Sequence, residues 1–182
     1  MLLWYCLRLE EEGSFKLPLL AVKSRIAPLR GGTIPRMELL SALVAARQKN
    51  SIIEALNWKK VKCYYWSDST TVLAWISRKE NWSVFVRNRV QEIRKLTSTL
   101  AWNDVVGELN PTDLPSRGCT ATQLMTLRWW VGPKWLTEPL DFWHQGNILS
   151  EDINEDKVEK EKLKSTKSLA CTENSIQCNR IK

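Results

Sequence analysis

The order of apolar runs over residues 61–106 constrains the fold more than any other feature of the chain. Val61–Trp66 is short, apolar and aromatic without helical period, which is typical of a buried parallel strand. Helical patterns follow over Thr70–Ser77 and Val84–Leu96, and Leu100–Val106 is the next strand-like run. This strand–helix–strand alternation predicts an α/β fold with right-handed crossovers.

The runs ahead of this unit predict a hairpin and a long helix. Leu2–Leu9 and Phe15–Ile26 have strand-like patterns, and the turn-forming residues 11–14 join them as a hairpin. Pro35 suits a first helical turn, because a missing N–H costs nothing there. Apolar residues then recur at helical spacing, so we expect this helix to run to about Asn57.

The C-terminal third of the chain changes character twice. Thr120 and Gln123 have capping-box spacing and predict another helix start, followed by a tryptophan-rich stretch. Further on, the sequence is polar and rich in Lys, Glu and Ser, and Glu–Lys pairs at 155–164 favour only a transient helix. We therefore expect a domain over residues 1–118, a helical tryptophan-rich extension over 119–145 and a disordered tail or linker over 146–182.

The net charge of +7 is unevenly distributed, since residues 1–137 carry +9 and residues 138–182 carry −2. A basic domain indicates either a polyanion partner or a solvated surface with excess Lys and Arg. No stretch approaches the roughly 18–20 apolar residues of a membrane span, and no secretory signal pattern is present. The five cysteines have no metal-ligand spacing, so we expect reduced thiols and an intracellular protein of the cytoplasm or nucleus, neither secreted nor membrane-bound.

Three acidic residues stand where a chain enters or leaves one edge of an α/β sheet. Glu38 opens the long helix, Asp68 follows the strand-like run at 61–66, and Asp113 follows Asn110-Pro111-Thr112 in a loop. Carboxylates that meet at such an edge hold hard divalent cations such as Mg²⁺. Each residue also has an ordinary alternative role: Glu38 beside the helix dipole, Asp68 as an N-cap and Asp113 as a turn cap.

Longer motifs carry a family resemblance. Residues 36–45, which read Arg-Met-Glu-Leu-Leu-Ser-Ala-Leu-Val-Ala, are followed by Trp66-Ser67-Asp68-Ser69, and together they resemble the ribonuclease H family. The stretches at 21–28, 110–118 and 129–136 resemble the ribonuclease H region of BEL/Pao-type retrotransposon polyproteins. The resemblance extends over about residues 2–137.

This resemblance implies a ribonuclease H-like mixed sheet of five strands with flanking helices. It also implies metal-dependent cleavage of RNA in RNA–DNA hybrids by four carboxylates. They hold two Mg²⁺ or Mn²⁺ ions, which activate water and stabilise the leaving 3′-oxygen. Glu38, Asp68 and Asp113 match three of the four, so they are the implied catalytic and metal-ligating residues.

The fourth carboxylate belongs to the first strand of the family, which has no counterpart in this sequence. Leu2–Leu9 matches the second strand of the family and Phe15–Ile26 the third. We therefore expect an N-terminally truncated fold that lacks its central first strand and ends in a polar tail. The two-ion site would then be incomplete, and this polypeptide alone, a truncated copy or a polyprotein fragment, would have little or no nuclease activity.

Basic residues around the helix that follows Asp68 are candidate nucleic-acid ligands, because basic side chains hold phosphates. The alternative is a solvated helix face, with Trp75 and Trp82 in the core rather than stacked on bases. The residues predicted to bind nucleic acid are Arg25, Ser69, Arg78, Lys79, Arg87, Arg89 and Arg94.

The sequence leaves three functions open. The first is a metal-dependent ribonuclease H-like domain of a retrotransposon polyprotein, with an RNA–DNA hybrid as its partner. The second is a non-catalytic remnant that still binds nucleic acid through its basic face. The third is a structural spacer that packs on neighbouring polyprotein domains through the tryptophan-rich segment 129–143.

Overall fold

Strands and helices alternate in the computed structural model, which describes residues 2–26, 32–113, 115, 118–126, 129–143 and 153–163. The strands are β1 (Leu2–Cys6), β2 (Leu9–Glu11), β3 (Ser14–Lys16), β4 (Leu19–Ser24), β5 (Tyr65–Ser67) and β6 (Trp102–Asp104). The α-helices are α1 (Ile34–Ala55), α2 (Thr70–Ser77), α3 (Val84–Leu96), α4 (Ala121–Thr126) and α5 (Glu155–Glu159). The α/β class is confirmed, and so are the predicted bounds of α2 and α3. None of the helices within the described ranges has the length and apolarity needed to cross a bilayer.

The predicted N-terminal hairpin is confirmed, but a break divides it into two ladders. β1 pairs antiparallel with β4, and β2 pairs antiparallel with β3. Glu12 and Gly13 form the tip with φ angles of 49° and 77°, a left-handed geometry that suits a two-residue hairpin turn. The register shifts after Tyr5, and the Leu7 N–H donates to the Pro18 carbonyl at 3.0 Å to connect the two halves.

β5 and β6 form a parallel pair, with α2 and α3 as the connection between them. Ser67 lies opposite Asp104, and the Tyr65 and Trp102 rings stack with their centroids 4.6 Å apart. The Val105 N–H donates to the Ser67 carbonyl at 3.1 Å, which extends the pairing by one residue. The carboxyl ends of both strands therefore open at the same edge, as the β–α–β order predicts.

The predicted single mixed sheet is corrected to three separate pairs of strands within the described part of the chain: β1 with β4, β2 with β3, and β5 with β6. Side chains rather than backbone bonds link β1 to β5. Trp4, Cys6 and Trp66 all pack against a buried cluster that contains Leu17 and Trp143. Apolar packing of this kind holds strands near one another without requiring a shared hydrogen-bond ladder.

Helix α2 lies at the centre of the main core. Its residues from Thr71 to Ile76 are all buried, between α1 and α3. At its C-terminal end Arg94 of α3 donates to the carbonyls of Ile76 at 2.8 Å and Arg78 at 2.7 Å. These bonds satisfy carbonyls at the end of α2 that have no partner within the helix. The prediction that Trp75 and Trp82 belong to the core is confirmed, since their exposures are 1% and 2%.

The tryptophan-rich segment covers the hairpin and β5. The capping box at the start of α4 is confirmed, because Thr120 Oγ1 accepts from the Gln123 N–H at 3.2 Å and Gln123 Oε1 accepts from the Thr120 N–H at 2.8 Å. Residues 129–143 then form two 3₁₀ turns instead of a longer α-helix. Trp4 Nε1 donates to the Trp129 carbonyl at 3.1 Å, so this segment is tied to β1.

Residues 153–163, hereafter the strap, fold back onto the core, whereas the sequence places them in a disordered tail or linker. Val158 is 1% exposed in the main core, and Trp75 Nε1 donates to its carbonyl at 3.3 Å. The Ser83 N–H donates to the Glu161 carbonyl at 2.6 Å, and the Leu163 N–H donates to the Asn81 carbonyl at 2.8 Å. Composition missed this docking because contacts with distant residues hold the strap: Val158 and Ile153 pack on the core, a few backbone bonds form, and Glu161 pairs with Arg36.

The conformation of Gly132 provides a test of how the tryptophan-rich segment packs. Gly132 has a φ of 72°, and a Cβ there would lie 3.1 Å from both Leu17 and Trp4. We expect Gly132→Ala to lower the free energy of unfolding by about 1–2 kcal/mol, because the left-handed backbone and the tight contact both disfavour a side chain. Urea unfolding measures this effect. Gly107→Ala is the control, since a Cβ at Gly107 has no neighbour within 4 Å; equal effects of the two substitutions would contradict the packing.

The strap is expected to detach at low pH. The Arg36 guanidinium, with help from the Ser83 hydroxyl, holds the pKa of Glu161 below its ordinary value, and Arg78 does the same for the pKa of Glu155. Their contribution is therefore complete above the ordinary glutamate pKa of about 4.3 and is lost as the pH falls through the lower pKa of each folded carboxyl group.

Amide hydrogen exchange, corrected for the intrinsic pH dependence of exchange, measures this detachment. We expect protection over residues 153–163 to fall at acidic pH while protection in α3 persists. Glu161→Gln should reduce the pH response of the strap. A response unchanged by this substitution would show that the Arg36–Glu161 pair does not hold the strap in place.

Candidate metal and nucleic-acid site

An open cavity of about 420 Å³ lies at the carboxyl end of β5, beside the first turns of α1 and α2. Two of the three predicted carboxylates, Glu38 and Asp68, lie in its wall. The lining residues are Ile34, Pro35, Glu38, Asp68, Ser69, Thr70, Thr71, Asn154 and Lys157. The cavity therefore combines acidic and hydroxyl oxygens from α1, from the bend after β5 and from the first turn of α2 with two polar residues of the strap.

Glu38 is held in the cavity wall by Ser69. The Ser69 hydroxyl donates to Glu38 Oε2 at 2.6 Å, and the next residue on α1, Leu39, is fully buried and fixes which face of the helix meets the core. Helix α1 begins at Ile34 and has no acidic residue in its first turn, so Glu38 lies beyond the region where the helix dipole is strongest. The structure thus gives Glu38 a partner across the cavity instead of the dipole role considered for it.

Asp68 follows β5 directly and is exposed to the cavity. Its alternative role as the N-cap of α2 is wrong, because Ser69 is the N-cap and its hydroxyl oxygen accepts from the Val72 N–H at 3.4 Å. The Ser69 N–H in turn donates to Ser67 Oγ at 3.1 Å, which stabilises the bend between strand and helix. Capping by Ser69 leaves the carboxylate of Asp68 available at the mouth of the cavity.

Asp113 lies outside the wall of this cavity as the structure describes it. Its loop is organised by Asn110, whose side-chain oxygen accepts from the Thr112 N–H at 3.0 Å and whose carbonyl accepts from the Asp113 N–H at 3.1 Å. Asn110 therefore provides a turn-capping side chain in this loop. Within the described ranges, no three His, Cys, Asp or Glu side chains are grouped closely enough to hold a metal ion.

The donor set of the cavity suits one hard cation better than two. The Glu38 and Asp68 carboxylates and the hydroxyls of Ser69, Thr70 and Thr71 are oxygen ligands of the kind that Mg²⁺ and Mn²⁺ prefer. Two carboxylates balance the charge of one divalent ion. A second ion would need further carboxylates at the cavity, and the strap adds the positive charge of Lys157 instead.

Three of the predicted nucleic-acid ligands make internal contacts. Arg94 caps α2, and burial lowers the pKa of its guanidinium. Arg89 lies over the Phe85 ring, with its guanidinium carbon 3.6 Å from the ring centroid, and donates to the Phe85 carbonyl at 2.9 Å. Ser69 bonds to Glu38 and caps α2, so its oxygen serves the site by positioning a carboxylate.

The other predicted ligands lie at the surface. Lys79 and Arg25 are exposed, and Arg87 is half-buried on α3. Arg78 forms a bidentate pair with Glu155 of the strap, with N–O distances of 2.7 and 2.6 Å. Arg25 lines a separate small cavity with Leu3 of β1, Lys23 of β4 and residues of α1, none of which lines the Glu38–Asp68 cavity.

Sequence reasoning missed the contribution of the strap to the cavity wall. Asn154 is the N-cap of α5, and its side-chain oxygen accepts from the Lys157 N–H at 3.1 Å. Asn followed by Glu155 and Asp156 is a helix-start signal that the sequence contains. The position of that helix beside Asp68 depends on tertiary contacts, for which the sequence carries no local signal.

The N-terminal part of the chain matches one known protein family. Residues 2–69 match the family model described as Pao retrotransposon-like RNaseH-like domain. This segment is similar to the ribonuclease H-like region of Pao-type retrotransposons. The matched ribonuclease H-like region contains both carboxylates of the cavity, Glu38 and Asp68, and ends before Asp113. No curated protein and no solved structure matches the chain.

Replacing Ser69 tests its two bonds in the ribonuclease H-like region. We expect Ser69→Ala to lower the free energy of unfolding by about 1 kcal/mol, because α2 loses its N-cap. Urea unfolding measures the change. Ser98→Ala is the matched control, since Ser98 precedes a 3₁₀ turn without a side-chain capping bond. A loss no larger than that of the control would contradict the capping role.

Proposed function

We propose that this chain is a nucleic-acid-binding, ribonuclease H-like domain of a retrotransposon polyprotein. Its Glu38–Asp68 pair binds a hard divalent cation, Mg²⁺ or Mn²⁺, and its nucleic-acid partner is an RNA–DNA hybrid. The observation that carries the proposal is that both carboxylates line one open cavity at the carboxyl edge of β5. Open α/β sheets place ligand sites at this edge, and the family match covers both residues.

The metal would be held by the Glu38 and Asp68 carboxylates, with hydroxyl oxygens of the α2 N-terminus nearby. A bound divalent ion supplies charge neutralisation for a phosphodiester and lowers the pKa of a coordinated water. The contribution of this chain is to fix the carboxylates before binding. Ser69 orients Glu38 by its 2.6 Å hydrogen bond, and the bend after β5 holds Asp68 at the cavity mouth.

The number of carboxylates in the cavity limits its catalytic capacity. Paired ions that cleave phosphodiesters require a larger set of carboxylates than Glu38 and Asp68. Asp113 is the candidate for a third ligand, although no group of three carboxylates forms within the described residues. We therefore propose that hybrid binding is retained and that cleavage by this polypeptide is weak or absent, as in a non-catalytic remnant.

The proposed nucleic-acid surface consists of basic side chains without a core role. Lys79, beyond the C-terminal end of α2, and Arg87, on α3, are the candidates, together with Arg78 when it is released from Glu155 and with exposed Arg25. Arg94 and Arg89 are omitted from this set because their guanidinium groups serve α2 and Phe85. Contacts to phosphates make hybrid binding fall as salt rises.

The structural-spacer alternative receives less support from packing. In the tryptophan-rich segment, Trp129, Leu136 and Trp143 are buried within the chain itself. These residues cover the hairpin and β5, so a spacer role would depend on the exposed side chains of the same segment, namely Trp130, Val131 and Phe142.

Cation titration tests the metal proposal. We expect calorimetry to detect Mg²⁺ or Mn²⁺ binding by the parent chain, and Asp68→Asn or Glu38→Gln to weaken it by about tenfold or more, because each removes a charged oxygen ligand. Glu54→Gln is the matched control, since Glu54 is an exposed glutamate near the other end of α1. Equal affinities for the parent, Asp68→Asn and Glu38→Gln would refute the proposed cation site.

Hybrid binding and hybrid cleavage are measured in the same samples. We expect fluorescence anisotropy to show salt-sensitive binding of a labelled RNA–DNA hybrid, with little cleavage on a denaturing gel. Efficient cleavage that disappears in Asp68→Asn would replace the remnant interpretation with an active nuclease. Absence of hybrid binding at low salt would refute the nucleic-acid function itself.

A further inference from the structure

The strap places two carboxylates on arginine side chains of the core. Glu155 accepts two hydrogen bonds from Arg78, at 2.7 and 2.6 Å, and Glu161 accepts two from Arg36, at 2.6 and 2.9 Å. This two-bond fork is also the geometry in which arginine holds a phosphate group. The strap therefore occupies guanidinium groups with anions of its own.

The first turn of the strap also borders the cavity. Asn154 and Lys157 lie in the cavity wall with Glu38 and Asp68. A polymer bound in the cavity would therefore contact the strap. The contact with Arg78 and the position in the cavity wall thus belong to the same turn of chain, residues 153–157.

The two halves of the strap are held very differently. The second half is anchored by buried Val158 and by the backbone bonds of Glu161 and Leu163 to the loop before α3. In the first half, Ile153 is partly buried against the main core, whereas residues 154–157 are exposed and the Glu155–Arg78 pair is their ion pair to the core. Because ion pairs near the surface contribute little stability, residues 154–157 can detach while Ile153 and the second half stay in place.

We propose that the first turn of the strap is an intramolecular competitor for a phosphodiester backbone at Arg78, and that binding of nucleic acid displaces this turn. The inference rests on the proposed nucleic-acid function and adds its regulation. The carboxylate of Glu155 occupies the guanidinium fork of Arg78, which a phosphate would otherwise take. Only molecules with the turn undocked offer this fork to nucleic acid, so the apparent affinity falls as the docked fraction rises.

The test compares two glutamates of the same short helix in the full chain. Glu155→Gln removes the carboxylate on Arg78, whereas Glu159→Gln removes an exposed carboxylate whose ion-pair partner is Lys162 at 3.9 Å, so both change the net charge equally. We expect Glu155→Gln to bind a fluorescein-labelled RNA–DNA hybrid about two- to fivefold more tightly than Glu159→Gln, the range that an exposed ion pair allows.

Arg78→Gln is then combined with Glu155→Gln and, separately, with Glu159→Gln. We expect the two double variants to bind the hybrid with equal affinity, because the guanidinium for which Glu155 and phosphate compete is absent from both. Amide hydrogen exchange is measured in parallel, and Glu155→Gln should lower protection at residues 155–157 while that of Val158 is retained. Adding the hybrid to the parent chain should lower protection at the same residues.

The hybrid affinities and the exchange data distinguish failure of the competitor proposal from failure of the nucleic-acid function. Equal or weaker hybrid binding by Glu155→Gln, relative to Glu159→Gln, overturns the competitor proposal while leaving the nucleic-acid function intact. The same holds if the hybrid increases protection of residues 155–157. If no variant binds the hybrid although exchange shows the turn released, the nucleic-acid function fails, and the competitor proposal fails with it.

Discussion

Burial of helix α2 is the constraint on which the rest of the structure depends. Its residues from Thr71 to Ile76 are inside the main core, although the helix is only eight residues long. Such a helix is not stable alone in water, so its position comes from packing against α1, α3, α5 and the β5–β6 pair. Its two ends then have fixed positions: Asp68 and Ser69 stand at the N-terminal end, and Arg78 follows the C-terminal end, where Arg94 completes the cap.

The fixed position of α2 also determines the position of the candidate site. A carboxylate on a helix and another after a strand are held near one cavity because both elements pack on the same core. Ser69 connects the two elements directly, since one hydroxyl caps α2 and donates to Glu38. Each acidic residue had an ordinary structural role available to it. Ser69 performs the capping role considered for Asp68, which leaves the Asp68 carboxylate exposed to the cavity.

Ion pairs connect the strap to the basic domain. The strap brings Glu155 and Glu161 to Arg78 and Arg36, so part of the acidic C-terminal sequence neutralises part of the basic domain. A chain with opposite net charges in its two parts has this option whenever the acidic part can fold back. The anchor is small, Val158 and Ile153 with a few backbone bonds and two ion pairs, and this makes local release of the strap less costly than unfolding of the domain.

The sequence by itself determined the α/β class, the bounds of α2 and α3, the hairpin and the capping box at Thr120, because each depends on local periodicity or turn chemistry. Its motifs also singled out Glu38 and Asp68, which line one cavity. Only the tertiary structure decided that the strands form three pairs, that Ser69 holds Glu38, that Arg94 serves α2 and that residues 153–163 dock beside Asp68. These features join residues far apart in the chain through single side chains or backbone bonds. No local pattern records which distant partner such a group will meet.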